Sequence, residues 1–314
     1  MTTDRPSSIE ETAPSSGISL MLRKRPVGLA SAIMALTCSL LWAGQSVAVK
    51  VAVTQLPPFL VMGIRFVLAM IVIGLAAYVA RITLRINRRW RLWILGHAVL
   101  LCIQTALFTL GHSPEESKSV KNIVIINSFP FFTAIFCHYF LPDFPFTWRV
   151  ISGLVIAFAG LLVVFAPGLL DSGIGNTPGD WLVLAAAAMM GVKITYVKSL
   201  LKYVKPVPLI FWTAICAAPM LLAISFALGE FTQVEWTVAA ATAIAYQGCV
   251  VSGLAVLMWM TLLSWHSPND VTVFRMTTPL LGMALGWLIL GEAVSSYLII
   301  GAVLIALGVW RVTK

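Results

Sequence analysis

The chain has 314 residues, 60% of them hydrophobic and only 11% charged, with a formal charge of +9 and a mean hydropathy of +0.95. Soluble globular domains carry about twice that charged fraction, so an ordinary soluble domain is excluded and the chain reads as an integral membrane protein. Long apolar runs such as 28–41 and 181–190 lack the alternation of a membrane barrel, which leaves an all-α membrane fold.

In chain order, residues 1–27 begin with a stretch rich in Ser, Thr, Pro and Glu that reads as a disordered cytoplasmic tail, too polar for a signal peptide. Ten apolar segments follow, at 28–51, 58–80, 92–112, 120–141, 147–167, 180–201, 207–228, 236–257, 269–290 and 295–312. Each is long enough for a bilayer core of about 30 Å. The connections are short and carry turn residues, as at Leu56-Pro57-Pro58 and Ser267-Pro268-Asn269-Asp270. The most hydrophilic internal stretch, 171–176, divides the chain into 28–167 and 178–313.

The basic residues are not spread evenly. With a cytoplasmic N-terminus and ten spans, Arg23 to Arg25, Arg81, Arg85, Arg88, Arg89, Arg91, Arg149, Lys198, Lys202, Lys205, Arg311 and Lys314 all fall at cytoplasmic ends. Lys118 and Lys121 fall on the other side, beside Glu115, Glu116, Asp171, Asp180, Glu230, Glu235 and Glu292. This is a positive-inside pattern, so the charge encodes orientation, with both termini cytoplasmic, rather than affinity for nucleic acid. Cys38, Cys102, Cys137, Cys216 and Cys249 are isolated within apolar stretches and read as small buried hydrophobes.

The two halves carry the same marks in the same order. Lys50, Pro58, Pro130, Asp143, Gly153 and Gly160 in the first are matched by Lys198, Pro206, Pro279, Glu292, Gly301 and Gly308 in the second. The offset is 148 residues for the lysines, the first prolines and the glycines, and 149 for the second prolines and the acids. Five spans per copy is an odd number, so the second copy enters the membrane inverted: two inverted five-helix repeats, ten transmembrane helices in all.

At these residues the chain resembles the EamA-like family of the drug/metabolite transporter superfamily. The resemblance lies in Leu41-Trp42-Ala43-Gly44 followed by Lys50, Pro57-Pro58, Arg65 and Ser128-Phe129-Pro130. It continues through Pro279, Leu290-Gly291-Glu292, Gly301 and Gly308. It implies two repeats packed around a central cavity, transport as the activity, and export as the direction. The family's Gly-Glu after the fourth helix is replaced here by Pro142-Asp143, and the connection from Pro114 to Pro130 is five residues longer than its counterpart, Pro268 to Pro279. A variant substrate entrance at Glu115, Glu116, Lys118 and Lys121 is one reading of that insertion.

Charges within spans are costly and mark function by default. Arg65, Lys193 and Arg275 are the candidates; packing against backbone carbonyls and snorkelling are the competing accounts. Lys193 is the repeat counterpart of Gln45, which nominates both for a shared cavity, and Trp42 shares a helical face with Gln45 as Tyr196 does with Lys193. Asn127 completes the expected substrate-binding set: Trp42, Gln45, Arg65, Asn127, Lys193, Tyr196 and Arg275. Gln104, Asn122, Tyr246 and Gln247 are further polar residues for which interhelical hydrogen bonding is the plainer account. Pro130 and Pro279 are expected to kink their spans, and the repeated glycines to mediate close helix packing. His138 is an available titrating group whose plainer role is structural.

No Asp or Glu falls deep in a span, so a dry cavity lined by these cations favours carboxylate or phosphate ligands and disfavours cationic drugs. With activity and direction implied by the resemblance and charge preference by these cations, the expected function is secondary active transport, as an exporter in a bacterial inner membrane, of a small anionic or zwitterionic metabolite by alternating access. A sugar-phosphate or nucleotide-sugar exchanger and a non-transporting membrane scaffold are the alternatives. An intramembrane enzyme lacks its signature: the sequence has no HExxH motif, no pair of intramembrane acids and no His cluster. The partners expected are a small-molecule substrate and the bilayer, with coupling to protons or to exchange both open and no metal or cofactor.

Overall fold

The computed structural model describes residues 26–53, 55–111, 120–172, 177–232, 234, 236–290 and 296–314. The polar tail up to residue 25, the 115–118 stretch of the third connection, most of the 171–176 linker and Gly291-Glu292 lie outside them. Among the described residues the regular structure is entirely helical. Its α-helices are α1 Leu29–Val53, α2 Pro58–Val79, α3 Arg88–Leu110, α4 Val120–Ile126, α5 Phe129–Phe140, α6 Trp148–Ser172 and α7 Pro178–Leu200. They continue with α8 Pro206–Ala227, α9 Val238–Ala245, α10 Val256–Trp265, α11 Pro268–Thr272, α12 Thr278–Leu290 and α13 Ser296–Thr313. A π-helical stretch, Tyr246–Ala255, joins α9 to α10, and a 3-10 stretch, Val273–Thr277, joins α11 to α12.

Among the described residues, eight stretches are long and apolar enough to cross a membrane: 58–79, 88–110, 121–140, 148–170, 178–200, 206–227, 238–265 and 296–313. They coincide with eight of the ten expected segments, and α1 covers another with 25 helical residues. Two expectations need correction. The eighth segment reaches Trp265, eight residues beyond the expected end, because the π-helical stretch carries the helix on without a break. Pro130 and Pro279 do not kink continuous helices; each sits in the first turn of a new one, α5 and α12. A proline lacks the N–H that the carbonyl four residues back would accept, and its ring crowds that carbonyl. Those carbonyls belong to Ile126, where α4 ends, and Arg275, which lies in the 3-10 stretch.

Proline also starts the matched helices. Pro58 and Pro206 occupy the first turn of α2 and α8, after residues held extended at φ −62°, ψ 145° and φ −66°, ψ 152°. A missing N–H costs nothing there. Glu230 completes the start of α2: its carboxylate accepts from the backbone N–H groups of Phe59 at 3.4 Å and Leu60 at 2.9 Å. An anion at a helix N-terminus satisfies free donors and meets the positive end of the dipole. Glu230→Ala is expected to cost about 1 kcal/mol, read as a lowered melting temperature of the purified protein.

Two long seams join the halves. Helices α6 and α13 cross antiparallel through the repeated glycines: a methyl on Gly308 would lie 2.6 Å from the carbonyl oxygen of Gly153, and one on Gly301 would lie 2.7 Å from that of Gly160. Helices α2 and α8 cross the same way, Gly63 against Leu222 and Gly74 against the Phe211 ring. Glycine lets backbones approach where no apolar driving force acts between helices in lipid.

Charged residues expected at solvated ends are in part buried. Lys121 of α4 and Asp180 of α7 form an ion pair at 2.9 Å with side chains only 6% and 2% exposed, and Asp180 also closes a capping box with Thr177. Lys198 is buried and donates to the carbonyls of Leu263 at 2.5 Å and His266 at 2.7 Å, capping the end of α10. Lys202, by contrast, meets Asp143 in an exposed pair at 3.4 Å. Trp93, Trp148 and Trp181 are exposed, as an interfacial belt requires.

Candidate functional site

Three cations from three separate elements lie within the bundle, Lys193 in reach of the charges of the other two. Arg65 comes from the middle of α2, Lys193 from the C-terminal half of α7, and Arg275 from the 3-10 stretch before Pro279. Lys193 feels the charges of both Arg65 and Arg275. Ion pairs such as Lys121–Asp180 and Lys202–Asp143 lie elsewhere, and among the described residues none of the three cations meets a carboxylate.

Each is held by neutral partners and keeps donors in reserve. Lys193 Nζ donates to Gln104 Oε1 at 2.7 Å, which spends one of its three N–H groups. Arg65 Nε donates to Ser252 Oγ, and its Nη1 approaches Met62 Sδ at 3.6 Å. The guanidinium of Arg275 lies 3.9 Å above the Trp42 ring, and Trp42 in turn meets Trp259 edge-on at 5.2 Å between centroids. A desolvated cation over an indole face is worth about 2 kcal/mol. That contact fixes the guanidinium without using its N–H groups, and Arg275 Nε and Nη1 are buried with no hydrogen-bond partner among the described residues. Buried unpaired donors are costly, and here they are donors suited to an anion.

The remaining expected residues divide. Gln45 is half-buried on α1, one helical turn from Trp42, and makes no hydrogen bond among the described residues. The Nδ2 of Asn127, just past the end of α4, donates to Ile123 O of that helix at 2.7 Å, which ties it to the α4–α5 break. Tyr196 donates to the Trp93 carbonyl at 2.9 Å and stacks on the Trp93 ring. Its ring lines a groove on the outer face of α3 rather than the cluster of cations. Gln104, Ser252 and Trp259 are contacts that sequence reasoning left out of the site. Gln104 carried a signal, since a lone amide in an apolar span resembles Gln45. Ser252 and Trp259 carried none, being small or apolar residues in an apolar run.

Other polar residues serve packing. Tyr246 donates to Leu41 O at 2.9 Å, and His97 Nδ1 and Thr213 Oγ1 are 3.0 Å apart. His138 Nδ1 accepts from Phe146 N at 3.4 Å. The buried Gln247 has both amide atoms without a partner among the described residues. No group of His, Cys, Asp or Glu able to hold a metal occurs among the described residues.

A bundle of apolar helices with buried cations between them fits a membrane carrier. The chain belongs to the EamA-like transporter family, whose model matches it twice, over residues 29–166 and 177–313. It is 26% identical over 284 residues to the uncharacterized transporter YoaV of Bacillus subtilis, covering 88% of this chain and 94% of that protein. It is 25% identical over 290 residues to a protein of Salmonella typhimurium named as a probable amino-acid metabolite efflux pump, with 88% and 92% covered. A solved structure described only as a crystal structure of protein superposes with a TM-score of 0.74 at 20% identity, covering 90% of this chain and 98% of its own, a likeness of fold. This chain is a membrane transporter.

Proposed function

We propose that the chain is a secondary active carrier exporting a small anionic or zwitterionic metabolite, without chemical conversion, through alternating access of ten helices in two inverted five-helix repeats. The observation that carries the reading is the set of three cations, Arg65, Lys193 and Arg275, with Lys193 repelled by the other two, unspent donors and no described carboxylate among them. A ligand carboxylate or phosphate would relieve that repulsion in a medium where each charge–charge contact is strong. The amino-acid metabolite efflux named for the Salmonella relative supports both cargo size and direction. The antiparallel seams, which pair α2 with its repeat counterpart α8 and α6 with its counterpart α13, support the inverted arrangement. The repeats are taken as 28–167 and 178–313, preceded by a cytoplasmic tail over 1–27.

Counterflow in proteoliposomes tests the cargo. Vesicles preloaded with amino acids, amino-acid derivatives or sugar phosphates are expected to accumulate labelled anionic or zwitterionic compounds and not cations. Accumulation of organic cations alone would remove the anion reading, and strict one-for-one exchange of phosphates would favour the exchanger. Placement in a bacterial inner membrane with both termini cytoplasmic is tested by single cysteines in the 81–91 segment. They should react with an impermeant maleimide only after the cells are opened; reaction in intact cells inverts the topology.

A further inference from the structure

The outer face of α3 carries a feature that substrate transport does not use. Leu92, Leu95, Gly96, Val99 and Leu100, with Tyr196 of α7 as a side wall, line an open groove of about 490 Å³. Their spacing puts them on one helical face, and eight residues of α-helix span about 12 Å, most of the roughly 15 Å depth of one leaflet. Gly96 sets the depth: a methyl there would lie 2.8 Å from the Tyr196 hydroxyl.

One turn earlier the same face carries Arg88 and Arg89, flanked by Arg85 and Arg91, and all four are exposed. Arg89 lies 4.6 Å over the Trp90 ring, and Trp90 stacks on Tyr203 at 4.4 Å, which engages the Arg89 guanidinium with an aromatic pair and leaves Arg85, Arg88 and Arg91 to a headgroup. None of the four meets a carboxylate among the described residues. Orientation in the membrane needs basic residues somewhere in this short connection. It does not require them at the head of an apolar groove.

We infer that this face binds one anionic phospholipid of the leaflet that the arginines face, its phosphate on Arg85, Arg88 and Arg91 and one acyl chain along Leu92 to Leu100. Cation clusters at a helix end select anionic headgroups through charge, while the groove adds an apolar partner of leaflet depth. The site is separate from the central cations and stands whether or not the cargo is an anion.

Native mass spectrometry of the purified full chain tests it, with titration by phosphatidylglycerol and by phosphatidylcholine of identical acyl chains. Phosphatidylglycerol should be retained at least about fivefold better, with the preference shrinking in high salt. Arg85→Gln/Arg88→Gln/Arg91→Gln should abolish the preference. Leu92→Trp/Leu95→Trp, which fills the groove from two exposed positions, should lower retention of both lipids. Equal retention of the two lipids by the unmodified chain overturns the site. Retention of phosphatidylglycerol that survives the tryptophans undiminished also overturns it, since the arginines would then act without the groove.

Discussion

Lys193→Met is expected to lower transport at least tenfold while the purified protein melts no earlier than the parent chain. The substitution removes one of three like charges and keeps the volume of the side chain. The hydrogen bond to Gln104 is lost, at about 1.5–3 kcal/mol because its donor is charged, but so is repulsion from Arg65 and Arg275 across the interior. The two changes offset each other in stability. In binding they do not, because a charge-assisted contact to the ligand is worth about 1.5–3 kcal/mol, a factor of roughly ten to a hundred in affinity. Counterflow and a thermal melt on the same preparation decide the matter. Unaltered transport would take Lys193 out of the site, and an earlier melt with lost transport would make it a structural residue. Gln45→Ala, on a side chain with no hydrogen bond to lose among the described residues, should impair transport with no change in melting.

The second large effect concerns assembly. Gly308→Ala is expected to cost about 1–3 kcal/mol through overpacking, and Gly308→Leu to prevent recovery of monodisperse protein. A methyl at 308 would lie 2.5 Å from the backbone nitrogen of Ala157 and 2.6 Å from the carbonyl oxygen of Gly153, and backbone atoms inside α6 cannot rotate away. Gly28→Ala is the control, because nothing lies within 4 Å of the added group. Size-exclusion profiles and melting curves give the readout. If Gly308→Leu elutes and melts like the parent, the seam between α6 and α13 is looser than this packing requires.

Much of the fold could be read before the structure, because bilayer thickness and the cost of exposed backbone restrict the options severely. The repeated marks also located the two helices that meet through glycine, α6 and α13, and their common spacing of seven residues named the contacting face. The candidate site was legible in part. Lys193 stood out as a charge in an apolar span, and its offset pointed to Gln45. The stacking of Arg275 on Trp42 joins residues 233 positions apart, which no local pattern encodes.

Tyr196 shows why helical faces mislead in a membrane. It lies on the Lys193 side of α7, and both side chains reach α3, but one bonds Gln104 and the other the Trp93 carbonyl beside the outer groove. Lipid and protein interior are both apolar, so residue type does not separate an inward face from an outward one. Ser252 was hidden for a further reason. It sits in the π-helical stretch, whose wider turns shift every later side chain relative to the period of an α-helix.

The glycine crossing carries one more consequence. Exchanging the two copies turns the contact of Gly153 with Gly308 into that of Gly301 with Gly160, and turns Gly63 against Leu222 into Phe211 against Gly74. Both seams would therefore be unchanged if the halves traded shapes as proposed. A carrier that works by such a trade can keep them fixed as its axle and place all of its motion in the helices that bear Trp42, Gln104, Lys193 and Arg275.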